Sequence, residues 1–108
     1  MNQKPKESDW KKFRSMVDDL RENYLKKRNA QLVKELTNPE KTPTEQFWDT
    51  FEKMKKEKQI LQDCLDGHSR SKMFLHMMLM YRYEMISEKE IKEFSIELQD
   101  KVKSFQQK

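Results

Sequence analysis

A chain of 108 residues with 39% charged and 34% apolar side chains has room for one economical core and not for two. Its single Gly excludes the phosphate-cradling patterns GxGxxG and GxxxxGK(S/T), each of which needs at least two glycines, and with only three Pro it argues against a turn-dense β-sandwich. One cysteine, Cys64, excludes an internal disulfide and a cysteine-only zinc site, and a net charge of +4 permits a polyanionic partner without demanding one.

Residues 1–7 (MNQKPKE) are polar and predict a disordered tail ahead of a single helical domain over 8–108. No apolar run follows their lysines, so no secretory signal is expected. Ser8 reads as an N-cap, with Asp9 at the positive end of the helix dipole. Trp10, Phe13, Val17, Leu20 and Tyr24 then recur at spacings of 3, 4, 3 and 4, the stripe of an amphipathic helix predicted over 8–36. After Tyr24 the stripe changes phase: Lys27 and Gln31 take the seam, while Leu25, Leu32 and Leu36 continue on a neighbouring face. A continuous helix from 9 to 36 runs about 42 Å at 1.5 Å per residue. That exceeds the reach of a compact domain of this length, whose radius of gyration is roughly 13 Å. The helix must break near 24–28 or project. Projection is the expectation, and it leaves Leu25, Leu32, Val33 and Leu36 as an interface for self-association.

Thr42-Pro43-Thr44-Glu45 is a capping box with proline at the first helical position, opening a second helix over 43–66. Its spacing turns Phe47, Trp48, Phe51, Met54, Leu61, Cys64 and Leu65 inward, and Gly67 stands where a left-handed terminating residue is wanted. A third helix over 70–86 is apolar almost all round and carries five of the eight methionines, so it must be covered on most sides. Its longest apolar run, Met73 to Tyr81, is nine residues, short of the roughly 20 that cross a bilayer, and no membrane span is expected. Ser87-Glu88-Lys89-Glu90 is a second capping box; Ile91, Phe94, Leu98, Val102 and Phe105 follow it as the stripe of a fourth helix over 88–106. The expected fold is all-α: a small four-helix bundle with a long first helix and a buried, Met-rich third one.

The side chains that could carry chemistry are few. Cys64, His68 and His76 do not reach the four ligands, in short pairs, that a zinc site wants; no Glu-x-x-His occurs for a di-iron centre; no metal and no cofactor is expected. Basic residues concentrate in the first 72 positions, 17 against 13 acidic, while the remainder holds six of each. Lys26, Lys27, Arg28, Lys53, Lys55 and Lys56 are the candidates for following a phosphate backbone, against the plainer reading of solvated faces with acidic neighbours.

Arg70 and His76 form R-x5-H at the start of the third helix. This resembles the R-x4-6-H motif of the HEPN family, small helical bundles that often act as dimeric ribonucleases. The resemblance covers the third helix only, and Ser71 is the polar residue beside the arginine. It implies His76 as acid–base and Arg70 as the group that stabilises phosphate charge. The residues around His76 (Phe74, Leu75, Met77, Met78) point instead to a core histidine. The leading expectation is a non-catalytic cytoplasmic protein, regulatory or adaptor in role, that contacts a protein partner and itself. A nucleic-acid-binding module is the first alternative and a HEPN-like ribonuclease the second.

Overall fold

The computed structural model describes residues 5–106, the side chains of Phe105 and Gln106 excepted. The predicted stripe position Phe105 and residues 1–4 of the predicted tail therefore lie outside the described side chains and residues. All regular elements described are helical. They are α1 (Glu7–Leu36), α2 (Pro43–Leu65), a 3-10 turn (Arg70–Lys72), α3 (Met73–Arg82), α4 (Glu88–Ile91) and α5 (Ile96–Gln106). No described helix is long and apolar enough to cross a membrane.

α1 runs unbroken for 30 residues, and the molecule is drawn out to match: 55 × 29 × 23 Å, with a radius of gyration of 16.6 Å. α2 returns antiparallel along it. The turn between them is tied by Lys41, whose ammonium lies between Glu35 and Asp49, and by Gln46 Nε2 donating to the Asn38 carbonyl at 2.8 Å. The expected capping box is formed: Glu45 N donates to Thr42 Oγ1, and Thr42 N to Glu45 Oε1.

α3, α4 and α5 pack only against the open end of this hairpin. There, Phe13, Leu20 and Tyr24 from α1 and Cys64 from α2 meet Met73, Met77 and Met80 from α3. Met85, Ile86, Ile91, Phe94, Leu98 and Val102 complete the core. Gly67 takes the left-handed conformation at φ +71°, turning the chain from α2 toward α3.

Four local expectations are corrected. Residues 5–7 are not loose: α1 starts at Glu7, and Arg70 holds the segment through the Pro5 carbonyl (2.8 Å) and the Glu7 carboxylate (3.0 Å). Ser8 is inside the helix rather than its cap; Asp9 does stand in the first turn, at the positive end of the dipole, and its side chain has a further task. The Asp9 carboxylate is buried and accepts from Ser95 N (3.0 Å) and Ser95 Oγ (2.6 Å).

The third helix stops at Arg82, four residues early. Glu84 adopts φ +62°, Met85 N donates to Met80 O at 2.7 Å and Glu84 N to Tyr81 O at 3.2 Å, a Schellman ending with glutamate where glycine is usual. Met85 and Ile86 reach the core from the turn. The fourth helix is two helices, because Ser95, gripped by Asp9, caps a fresh start at Ile96 with its hydroxyl 3.3 Å from Leu98 N.

The largest departure concerns α2. Leu61, Cys64 and Leu65 do pack inward, but Phe47, Trp48, Phe51 and Met54 are exposed. The reason is length. The α3–α5 layer ends before it reaches the distal half of the hairpin, so that half has one helical neighbour and two uncovered sides.

Candidate interaction surface

α1 and α2 touch along the strip that buries Thr50 and Tyr24. At 100° per residue, Leu25, Leu32 and Leu36 of α1 lie to one side of that strip, and Met54, Leu61 and Leu65 of α2 lie to the same side of theirs. Between the helices runs an open groove of about 600 Å³, floored by Val17, Leu25 and Leu32 from α1 and by Met54, Leu61 and Leu65 from α2. No side chain of α3, α4 or α5 lines it. Arg21, Asn29, Lys58 and Gln62 form the polar rim.

Toward the tip, the groove gives way to bare apolar surface. Val33 and Leu36 are exposed on α1, and Trp48 is 55% exposed on α2, edge-on to Phe47 (5.0 Å between ring centres) and to Phe51 (5.9 Å). The expected interface residues Leu25 and Leu32 thus line the groove, Leu36 continues along the same side of α1, and Val33 is exposed half a turn away from Tyr24, on the side of α1 turned from α2.

A polar seam separates core from tip. Tyr24 Oη donates to Glu57, the Arg28 guanidinium lies 4.8 Å over the Tyr24 ring, and Arg28 Nη2 donates to the Tyr83 carbonyl at 3.4 Å. Burial, with the Glu57 carboxylate adding to it, pushes the Tyr24 phenol up to about 12.

Of the candidate polyanion residues, Arg28, Lys53 and Lys56 line one shallow depression between α1 and α2 together with Glu57, Gln31 and Leu32, while Lys26, Lys27 and Lys55 lie outside it. Lys26, Lys27 and Arg28 are consecutive, so they fan around α1. Arg28 is engaged with Glu57, Lys53 lies 3.4 Å from Glu35, and Lys55 lies 3.8 Å from Glu52. Lys26, Lys27 and Lys56 are exposed, and the carboxylates of Glu57 and Glu35 beside Arg28 and Lys53 dilute the positive charge of the shared depression.

The HEPN-like pair fares worse. His76 is 4% exposed, with Nδ1 at 3.1 Å from Lys72 O and Nε2 at 2.9 Å from Asp66 O. Both nitrogens face backbone carbonyls and the ring packs edge-on against His68, so His76 staples the 66–72 connection to α3 and no substrate proton is within its reach. Burial lowers its pKa, outweighing the carbonyls that pull the other way. Arg70 is spent on Pro5 and Glu7.

Cys64 is fully buried and its thiol is pushed up to about 12 by that burial; the His68 ring meets the Cys64 carbonyl, not its sulfur. Among the described residues, no cluster of His, Cys, Asp and Glu is placed to hold a metal.

No protein-family model matches this chain, and no curated protein or solved structure matches it either. Sequence reasoning missed Phe47, Trp48, Phe51 and Met54 as surface groups because helical spacing defines a stripe and not what covers it. A signal did exist. If α1 projects beyond residue 25, an antiparallel α2 turning at 37–42 must project with it, and its first half then shares the same lack of cover.

Proposed function

We propose that this is a small non-catalytic helical protein, a bundle built around the Met-rich α3, that works through protein–protein contact in a regulatory or adaptor role in the cytoplasm. The open face of the α1–α2 hairpin is its docking surface. The observation that carries this reading is the aromatic cluster of Phe47, Trp48 and Phe51, left exposed beside a groove with apolar walls. Soluble chains seldom leave a contiguous apolar patch of more than a few hundred Å² in water unless something binds there. Aromatic residues and Met are also the types enriched at the centres of interfaces.

The side chains that could have argued for catalysis are otherwise employed: His76 in stapling a turn, Cys64 in the core, Arg70 in holding the start of α1.

Photo-crosslinking from position 54 in the groove, with position 100 on α5 as control, tests this. Discrete adducts of protein mass from position 54 alone, insensitive to nuclease and to moderate salt, are expected. Adducts with nucleic acid that vanish as salt rises would favour the polyanion reading instead. Equal labelling from both positions would remove the docking surface.

A further inference from the structure

We infer that the occupant of the tip is a second copy of this chain, seated hairpin against hairpin; this rests on the docking reading above and adds the partner to it. Three observations converge on it.

Shape comes first. The tip is a two-helix layer with an apolar face and no third helix, and a face of that kind is buried by another pair of helices, giving a four-helix arrangement. A second hairpin of the same sequence supplies the missing pair. A two-fold contact also uses the same patch on both partners and closes on itself, so it ends at a dimer.

Area comes second. Leu36, Phe47, Trp48, Phe51 and Met54 are each between 41% and 56% exposed. With 150–250 Å² for a whole aromatic side chain, they present on the order of 500 Å², the larger part of the roughly 800 Å² per partner of a standard specific interface. The adjoining groove makes up the difference.

Charge is the third observation, and it separates a second copy from a charged partner. Residues 33–55 hold four basic side chains (Lys34, Lys41, Lys53, Lys55) and five acidic ones (Glu35, Glu40, Glu45, Asp49, Glu52), a net of −1. The pairs Lys41 with Glu35 and Asp49, Lys53 with Glu35, and Lys55 with Glu52 neutralise much of this within the hairpin. A patch so nearly neutral can meet its own copy without like-charge repulsion, and it offers little field to attract a nucleic acid or a strongly acidic helix.

The test is sedimentation equilibrium of the full chain from micromolar concentration to about 1 mM, with Trp48 emission followed in a Trp10→Phe background. The expected results are a mass rising from 13.3 kDa to twice that and a blue shift of Trp48 over the same range. Trp48→Glu and Phe51→Glu alter exposed positions, so helix content at low concentration stays the same while the dissociation constant rises about 30-fold or more. Ile96→Glu, exposed on α5, leaves the dimer intact.

A monomer throughout, with Trp48 in a water-like environment, overturns the second copy and leaves the docking surface standing for another protein. A monomer in which Trp48 emits as a buried residue overturns both, because the face is then covered from within. A dimer indifferent to Trp48→Glu and Phe51→Glu places the contact elsewhere and overturns the proposal.

Discussion

Phe13 and Phe47 sit on the two helices of one hairpin, yet the first is fully buried and the second is 56% exposed. At the open end, α1 and α2 are covered by α3, α4 and α5, and the contacts close on themselves. Asp9 grips Ser95 across 86 residues, His76 ties two carbonyls of the 66–72 connection, and the methionines of α3 fill the space between. At the tip, the same two helices continue with only each other. The lesson is that helical amphipathicity fixes which residues share a face, while the number of neighbouring helices decides whether that face is core or surface.

Replacing the two phenylalanines should break this symmetry most visibly. Phe13→Ala empties a packed site and is expected to cost about 3–5 kcal/mol in urea unfolding. Phe47→Ala, measured at low protein concentration, should change stability by no more than about 0.5 kcal/mol. Equal losses would mean that the tip is as well packed as the core.

Asp9→Ala removes a buried acceptor and leaves the Ser95 amide unpaired; a loss of about 2 kcal/mol, with lower helix content in α5 by exchange or NMR, is expected. Glu84→Gly should move stability the other way. Relief of the left-handed strain at φ +62° is expected to add about 1 kcal/mol, read as a higher melting temperature. Thr50→Val, at the hairpin seam, removes a buried hydroxyl that has no hydrogen-bond partner and should stabilise by up to about 1 kcal/mol.

Acidity gives the smallest and most specific effect. Burial sets the His76 pKa below its ordinary 6.5, with His68 and Lys72 pushing the same way and the Asp66 and Lys72 carbonyls opposing. The unfolded chain therefore binds the proton more tightly than the folded one. This contribution is fully present above about pH 6.5 and is lost as pH falls through it, levelling off once the folded imidazole is also charged. The slope of unfolding free energy with pH should stay under about 1.4 kcal/mol per unit and largely vanish in His76→Gln. A rise in stability on acidification through this window would reverse the sign and contradict the geometry.

What the sequence disclosed follows the range of the interaction responsible. The boxes at Thr42–Glu45 and Ser87–Glu90 are complete within four residues, and both are formed as read. Gly67 likewise announces its own left-handed turn. The end of α3 was hidden because its left-handed position carries Glu84 rather than glycine. The split between α4 and α5 was hidden because its cause, Asp9, lies on another helix. The stripe through Ile91, Phe94, Leu98 and Val102 survives the break, since the intervening turn preserves spacings near those of a helix. For the surface, the phase change after Tyr24 marked the right half of α1, and only its pairing with α2 shows that four further apolar residues belong with it.

Amide hydrogen exchange of the full chain, compared between dilute and concentrated solution, tests the central contrast most directly. The account predicts that residues 57–65 of α2 are protected at both concentrations, whereas residues 43–54 exchange quickly when dilute and become protected on concentration. Uniform protection along all of α2 in dilute solution would contradict it, since the tip would then need no partner.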